Sequence, residues 1–126
     1  MRDDPRADLK IALGSVYHPP DEPYRRLLIM RRWPRGVRKD AVDDWERQLG
    51  PSDELLDAYK GGAVDWTGFA SRYRAEMTER SELVEWVARQ ASRAGVTLLC
   101  GSHPEERCHR SLLAELMQER AAAWLE

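Results

Sequence analysis

Cys100 and the run Cys108-His109-Arg110 lie eight residues apart, and together they carry the side chains best suited to chemistry. A thiol whose proton is lost becomes a nucleophile or a metal ligand, and a helix N-terminus or a nearby cation promotes that loss. A histidine moves protons near neutral pH. An arginine fork grips phosphate or carboxylate in two places. Cys100 ends the run Val96-Thr97-Leu98-Leu99-Cys100, which is β-branched and apolar throughout, as a central parallel strand is. Ligands of parallel α/β sheets bind beyond the carboxyl ends of such strands. The helix that follows would present free N–H groups and its positive dipole end at the same place. The competing reading is structural: free cysteine is often a small buried hydrophobe.

The spacing excludes two known solutions. Cysteine phosphatases place an arginine six positions after the nucleophile, whereas position six here is Glu106 and Arg107 comes one later. A carboxylate there would repel phosphate, and the only glycine of the loop, Gly101, stands at its start. A rhodanese-type crown of amides is absent for a similar reason. A zinc site would draw on Cys100, His103, Cys108 and His109, which include good ligands for that ion. Their spacing matches no zinc knuckle, and adjacent residues on a helix point about 100° apart. The expectation is therefore no metal and no bound cofactor.

A second group lies upstream. Arg25, Arg26, Arg31, Arg32, Arg35, Arg38 and Lys39 fall within fifteen residues with no acid among them, and Trp33 sits in their midst. Either they form a solvated edge, or an anion-binding face in which Trp33 stacks a planar group and Arg35 holds its phosphate. Trp33 can equally be a core anchor, with Arg35 bracing the turn at Gly36. The net charge of −2 gives no global attraction to nucleic acid or membrane.

These residues need a scaffold, and the pattern supplies one. A chain of 126 residues, 42% hydrophobic and 33% charged, holds one core. The charged segment 1–9 reads as a polar leader, leaving 10–126 as a single domain. The leader is unlike a signal peptide, no run is long enough to span a membrane, and cysteines are few, so the expected compartment is the cytoplasm. Strands are expected at Ile11–Tyr17, Leu27–Met30 and Val96–Cys100. Helices are expected over 40–49 (capped by Asp40, with Val42, Trp45 and Leu49 on one face), 53–60 after Ser52, 65–77, 81–93 from Ser81, and 106–122. That alternation predicts a small, three-layer-type α/β domain with a short, mostly parallel sheet and about five helices.

The order Val16-Tyr17, Pro19-Pro20, Trp33-Pro34-Arg35-Gly36, Trp45, Pro51-Ser52, Tyr73-Arg74-Ala75-Glu76, Leu98-Leu99-Cys100 and Cys108-His109-Arg110 resembles the domain of unknown function 488 (DUF488) family from about Val16 to Leu116. The resemblance implies a small bacterial or archaeal α/β protein and no particular activity. Members commonly carry an Asp-Arg pair before the Trp-Pro-Arg-Gly stretch. This chain keeps Arg31 but has Met30 where the acid would be, which weakens an enzymatic reading.

The resulting expectation is a crevice for a phosphorylated or nucleotide-like anion. Tyr17, Arg31, Trp33, Arg35, Cys108 and Arg110 would bind it, and Cys100 with His109 would act if catalysis occurs. The alternative is a nucleic-acid-associated module using the Arg25–Lys39 cluster and Trp33.

Overall fold

The computed structural model describes residues 9–101 and 108–125. Four strands, β1 (Ile11–Ser15), β2 (Arg25–Leu28), β3 (Asp44–Trp45) and β4 (Val96–Cys100), form one sheet in the order β1-β4-β2-β3. Every pairing is parallel. β4 is central and buried at all five positions, as its unbroken apolar run requires. Its register sets Cys100 against Ser15 and Leu99 against Leu28, so β1, β2 and β4 end at one edge.

Four helices follow the expected spans closely: α1 (Asp53–Lys60), α2 (Trp66–Thr78), α3 (Ser81–Arg93) and α4 (His109–Ala122). Ser52 Oγ accepts the Leu55 N–H and Asp65 Oδ1 the Gly68 N–H, so both cap their helices. Ser81 is instead the first residue of α3, and the N-cap is Arg80 with no side-chain bond. Gly95 turns α3 into β4 at φ +95°, a conformation that favours glycine.

Because strand side chains alternate, β4 serves two layers. Val96 and Leu98 join Leu27 in the main core with Phe69, Tyr73, Met77, Val87 and Leu113 of the helices. Leu99 and Leu28 face the other way, against Val16, Met30, Trp33, Val37, Val42 and Trp45. The second covering layer is thus a tryptophan-bearing connection rather than helix.

That connection replaces the helix expected over 40–49. Residues 39–41 and 47–49 form single 3₁₀ turns, and Asp44–Trp45 adds an edge strand to β2. Asp43 N–H donates to Arg26 O and Glu46 N–H to Leu28 O, while the Asp43 carboxylate accepts from the Arg26 backbone N–H and guanidinium. These bonds hold the segment extended. The Trp45 indole N–H donates to Met30 O at 2.7 Å, fixing its ring in the second layer. Among the described residues, no helix is long and apolar enough to cross a membrane. The expected turn at 101–104, the start of the expected last helix, and residues 1–8 of the expected leader fall wholly or mostly outside the described residues.

Candidate functional site

Three side chains meet where β4 ends and α4 begins. Cys108 donates its S–H to Cys100 Sγ across 3.2 Å. His109 Nδ1 lies 3.7 Å from the Cys108 sulfur and 4.0 Å from the Cys100 sulfur. The group is buried, with Cys100 0%, Cys108 2% and His109 5% exposed. Its convergence depends on a local detail. Cys108 is the N-cap of α4, with extended backbone angles of φ −130° and ψ 152°, so helical phasing does not apply to it. The 100° divergence expected for adjacent helical residues is absent, and both side chains turn to one side.

The opposite ring nitrogen sets the protonation of His109. Nε2 lies 2.5 Å from the carbonyl oxygen of Ile29. A carbonyl can only accept, so Nε2 carries the hydrogen, and in the neutral imidazole Nδ1 presents a lone pair toward the two sulfurs. Ile29 is itself anchored, its N–H donating to Leu99 O at 3.0 Å. Tyr73 packs its ring 5.6 Å from that of His109 and donates its hydroxyl to Leu49 O at 2.7 Å. Burial holds the Tyr73 hydroxyl well above the ordinary tyrosine range, so it stays protonated. The bond to Cys100, reinforced by burial, pushes the Cys108 thiol up to about 11, against a smaller opposing pull from His109. At neutral pH Cys108 therefore holds its proton.

Two adjoining cavities border this group. The larger, ≈ 510 Å³, is lined by Tyr17, Arg35, Tyr59 and Lys60 together with Cys108 and His109. The smaller, ≈ 170 Å³, includes Arg31, Arg32 and Lys60 with Cys100 and His109. Met30, Leu56, Lys60 and His109 belong to both. Met30, the position at which the resembling family commonly has an acid, thus stands in the cavity wall.

The structure gathers six of the eight expected site residues around these cavities. Tyr17 is half exposed and donates its hydroxyl to Arg35 O, bracing the larger mouth. Arg31 is spoken for, its Nε and Nη2 donating to Pro51 O and Gly50 O at 3.3 and 3.2 Å. Trp33 lies elsewhere, donating to Val37 O and meeting Trp45 edge to face at 5.2 Å. It is an anchor of the second layer. Arg110, the second residue of α4, is buried and is not among the described residues lining either cavity. His103 and Arg107 lie outside the described residues.

Lys60 and Tyr59 went unread in the sequence. They end α1 before Gly61-Gly62, a position that signals only helix termination, and α1 packs beside α2, whose Phe69 lines the larger cavity with them. The upstream arginines are largely engaged with acids. Arg25 pairs with Asp44, Arg26 with Asp43, Arg32 with Asp53 and Arg38 with Asp40.

A profile described as the active DUF488-N3 subclade matches residues 11–121. The curated relatives include "Uncharacterized protein YeaO" of Escherichia coli (strain K12), 31% identical over 113 residues that span 87% of this chain and 98% of the relative. They also include "Uncharacterized protein Rv3073c" of Mycobacterium tuberculosis (strain ATCC 25618 / H37Rv), 31% identical over 116 residues, 90% of this chain and 98% of the relative. No solved structure matches the chain significantly.

Proposed function

The chain belongs to the DUF488-N3 family, in the subclade described as active, and from that premise we propose that it binds a small anionic molecule at the carboxyl edge of its sheet and presents it to the Cys100–Cys108–His109 group. One observation carries the reading. A contiguous thiol pair and imidazole stand beside a ≈ 510 Å³ cavity whose wall bears the cations Arg35 and Lys60. A cavity of that size suits a metabolite rather than a polymer. The N-terminus of α4 adds the positive end of its dipole at the same point.

The division of labour follows from the protons. Arg35 and Lys60 attract the anion, and Tyr17 holds the Arg35 segment in place. The Cys108 S–H points at Cys100 and would stabilise a thiolate there, so attack is assigned to the Cys100 sulfur. His109, held by the Ile29 carbonyl, offers Nδ1 to receive or return a proton. A nucleic-acid role gains nothing comparable, because Arg25, Arg26, Arg32 and Arg38 are paired with carboxylates and Trp33 is packed against Trp45.

The test pairs binding with reactivity. Inorganic phosphate and a nucleoside monophosphate are titrated calorimetrically into the chelator-treated, reduced protein. Saturable binding of either, weakened about tenfold by Lys60→Ala or Arg35→Ala, is expected; a tenfold loss corresponds to ~1.4 kcal/mol. Iodoacetamide should label Cys100 faster than a peptide thiol, and the bound anion should slow that labelling. Labelling no faster than a peptide thiol, with or without anion, removes the nucleophile.

A further inference from the structure

We propose that Cys100, Cys108 and His109 bind a thiophilic divalent cation, zinc above all, as a three-ligand site that leaves one coordination position for a small molecule. The three ligand atoms, two Sγ and one Nδ1, all lie within 4.8 Å of one another. Zinc bound at about 2.3 Å to sulfur and 2.0–2.1 Å to nitrogen sets tetrahedral edges of about 3.7 Å between sulfurs and about 3.5 Å between sulfur and nitrogen. The corresponding separations here are 3.2, 3.7 and 4.0 Å. Each differs from the ideal edge by about half an ångström or less, within reach of small side-chain rotations.

The imidazole is already prepared as a ligand. Its Nε2–H is committed to the Ile29 carbonyl at 2.5 Å, which fixes the tautomer and aims the Nδ1 lone pair at the sulfurs. Such an outer hydrogen bond to a backbone carbonyl is the usual companion of a metal-bound histidine. Electrostatics agree with burial. Two thiolates and a neutral imidazole cancel the charge of a divalent cation, so the loaded centre is neutral in a place where a net charge would be costly. The balance is Zn²⁺ plus two thiols giving a bis-thiolate complex and two protons released to solvent.

The surroundings supply the open position. Cys108 and His109 border the larger cavity, and Cys100 and His109 the smaller, so the centre adjoins space on both sides. Among the described residues three protein ligands adjoin open space, and three ligands with one exchangeable position is the arrangement of catalytic rather than structural zinc. This inference goes beyond the anion-binding reading and does not depend on it. With the ion in place the sulfurs are ligands, and an anion in the cavity meets the metal; without it, Cys100 keeps the role described above.

Cobalt is the probe. The full chain, reduced and stripped with a chelator, is titrated with Co²⁺ in the absence of phosphate. One equivalent should produce a sulfur-to-cobalt charge-transfer band with the intense visible absorption of a tetrahedral ion, and Zn²⁺ should abolish both. Zinc should also protect two thiols per chain from a disulfide reagent. Cys108→Ser and His109→Gln should each lower zinc affinity by at least about a hundredfold, the upper end of what losing an outer-shell partner costs. Circular dichroism verifies that both remain folded. Weak octahedral absorption without charge transfer in the unsubstituted protein overturns the proposal, whatever the variants do. So does a cobalt spectrum unchanged in both folded variants. Saturable phosphate binding by the stripped protein that shows no cobalt band would remove the metal site and leave the anion reading standing.

Discussion

At the scale of single residues, the site depends on side-chain hydrogen bonds to backbone carbonyls. Tyr73 is fully buried, and its hydroxyl serves Leu49 O while its ring supports His109. Tyr73→Phe keeps the ring and leaves that carbonyl unsatisfied, so stability should fall by about 1–2 kcal/mol. Urea denaturation measures the loss, and an unchanged midpoint would show that water replaces the hydroxyl. Anion binding should persist, since the ring still packs on His109. The same scale shows what a sequence can hide. Cys100, Cys108 and His109 were legible as members of one crevice, but the turn of both Cys108 and His109 toward Cys100 was not. It turns on the backbone of Cys108 being extended at the N-cap, and the side-chain divergence expected of neighbours holds only inside a helix. Arg110 shows the converse, because it was expected to reach the anion and is instead buried, outside the described lining of either cavity.

At the scale of elements, β4 and the last three helices were readable because their apolar periods lead into one layer. The segment 40–49 was not, for a physical reason. Val42, Trp45 and Leu49 share helical spacing, yet Val42 and Trp45 pack in the second layer while Leu49 enters the main core. Long-range bonds from β2 decide the matter, and spacing carries no record of them. The Arg26–Asp43 contact therefore holds an edge strand. Its hydrogen bonds keep the Asp43 carboxyl below the ordinary Asp value. A carboxyl depressed in the folded state contributes stability above the unfolded value of about 3.9 and loses it as pH falls through the folded one. Asp43→Asn should flatten the acid limb of the stability curve by less than about 1 kcal/mol, because the pair is largely exposed. Amides of 43–46 should exchange faster while those of β4 stay protected. Uniform exchange across both would mean that the pair does not hold the edge. Gly95 makes a sharper case, since a Cβ there would stand 2.3 Å from Tyr24 Cδ1 at φ +95°. Gly95→Ala should cost roughly 1–3 kcal/mol from backbone strain and more from the clash. Adding Tyr24→Ala should recover only the steric part, and full recovery in thermal melts would exclude the backbone contribution.

At the scale of the whole molecule, adjacent residues of the central strand hold unlike layers together. Leu98 faces the helices, and Leu99 faces the thinner layer of Val16, Leu28, Trp33 and Trp45; both leucines are fully buried. The cost of truncating a buried leucine ranges over about 2–5 kcal/mol and depends on how far the site can collapse around the void. Around Leu98 the neighbours Leu27, Tyr73, Val87 and Leu113 are themselves buried among helices that cannot close in without disturbing one another. Around Leu99 several neighbours are only partly buried, and the covering connection is tied down at a few points such as Trp45 to Met30 O. Leu98→Ala should therefore lie near the upper end of that range and Leu99→Ala near the lower. Against a total stability of about 5–15 kcal/mol, either loss is large enough to resolve by denaturant titration. The smaller global loss should carry the larger local effect. Met30, which packs in the second layer, also forms the wall of both cavities, and the carbonyl that fixes His109 belongs to the residue just before it. Loosening that layer should weaken phosphate binding in Leu99→Ala more than in Leu98→Ala, measured on folded protein at matched temperature below both transitions. Equal weakening in both would mean that the site follows the stability of the whole domain rather than the layer beside it.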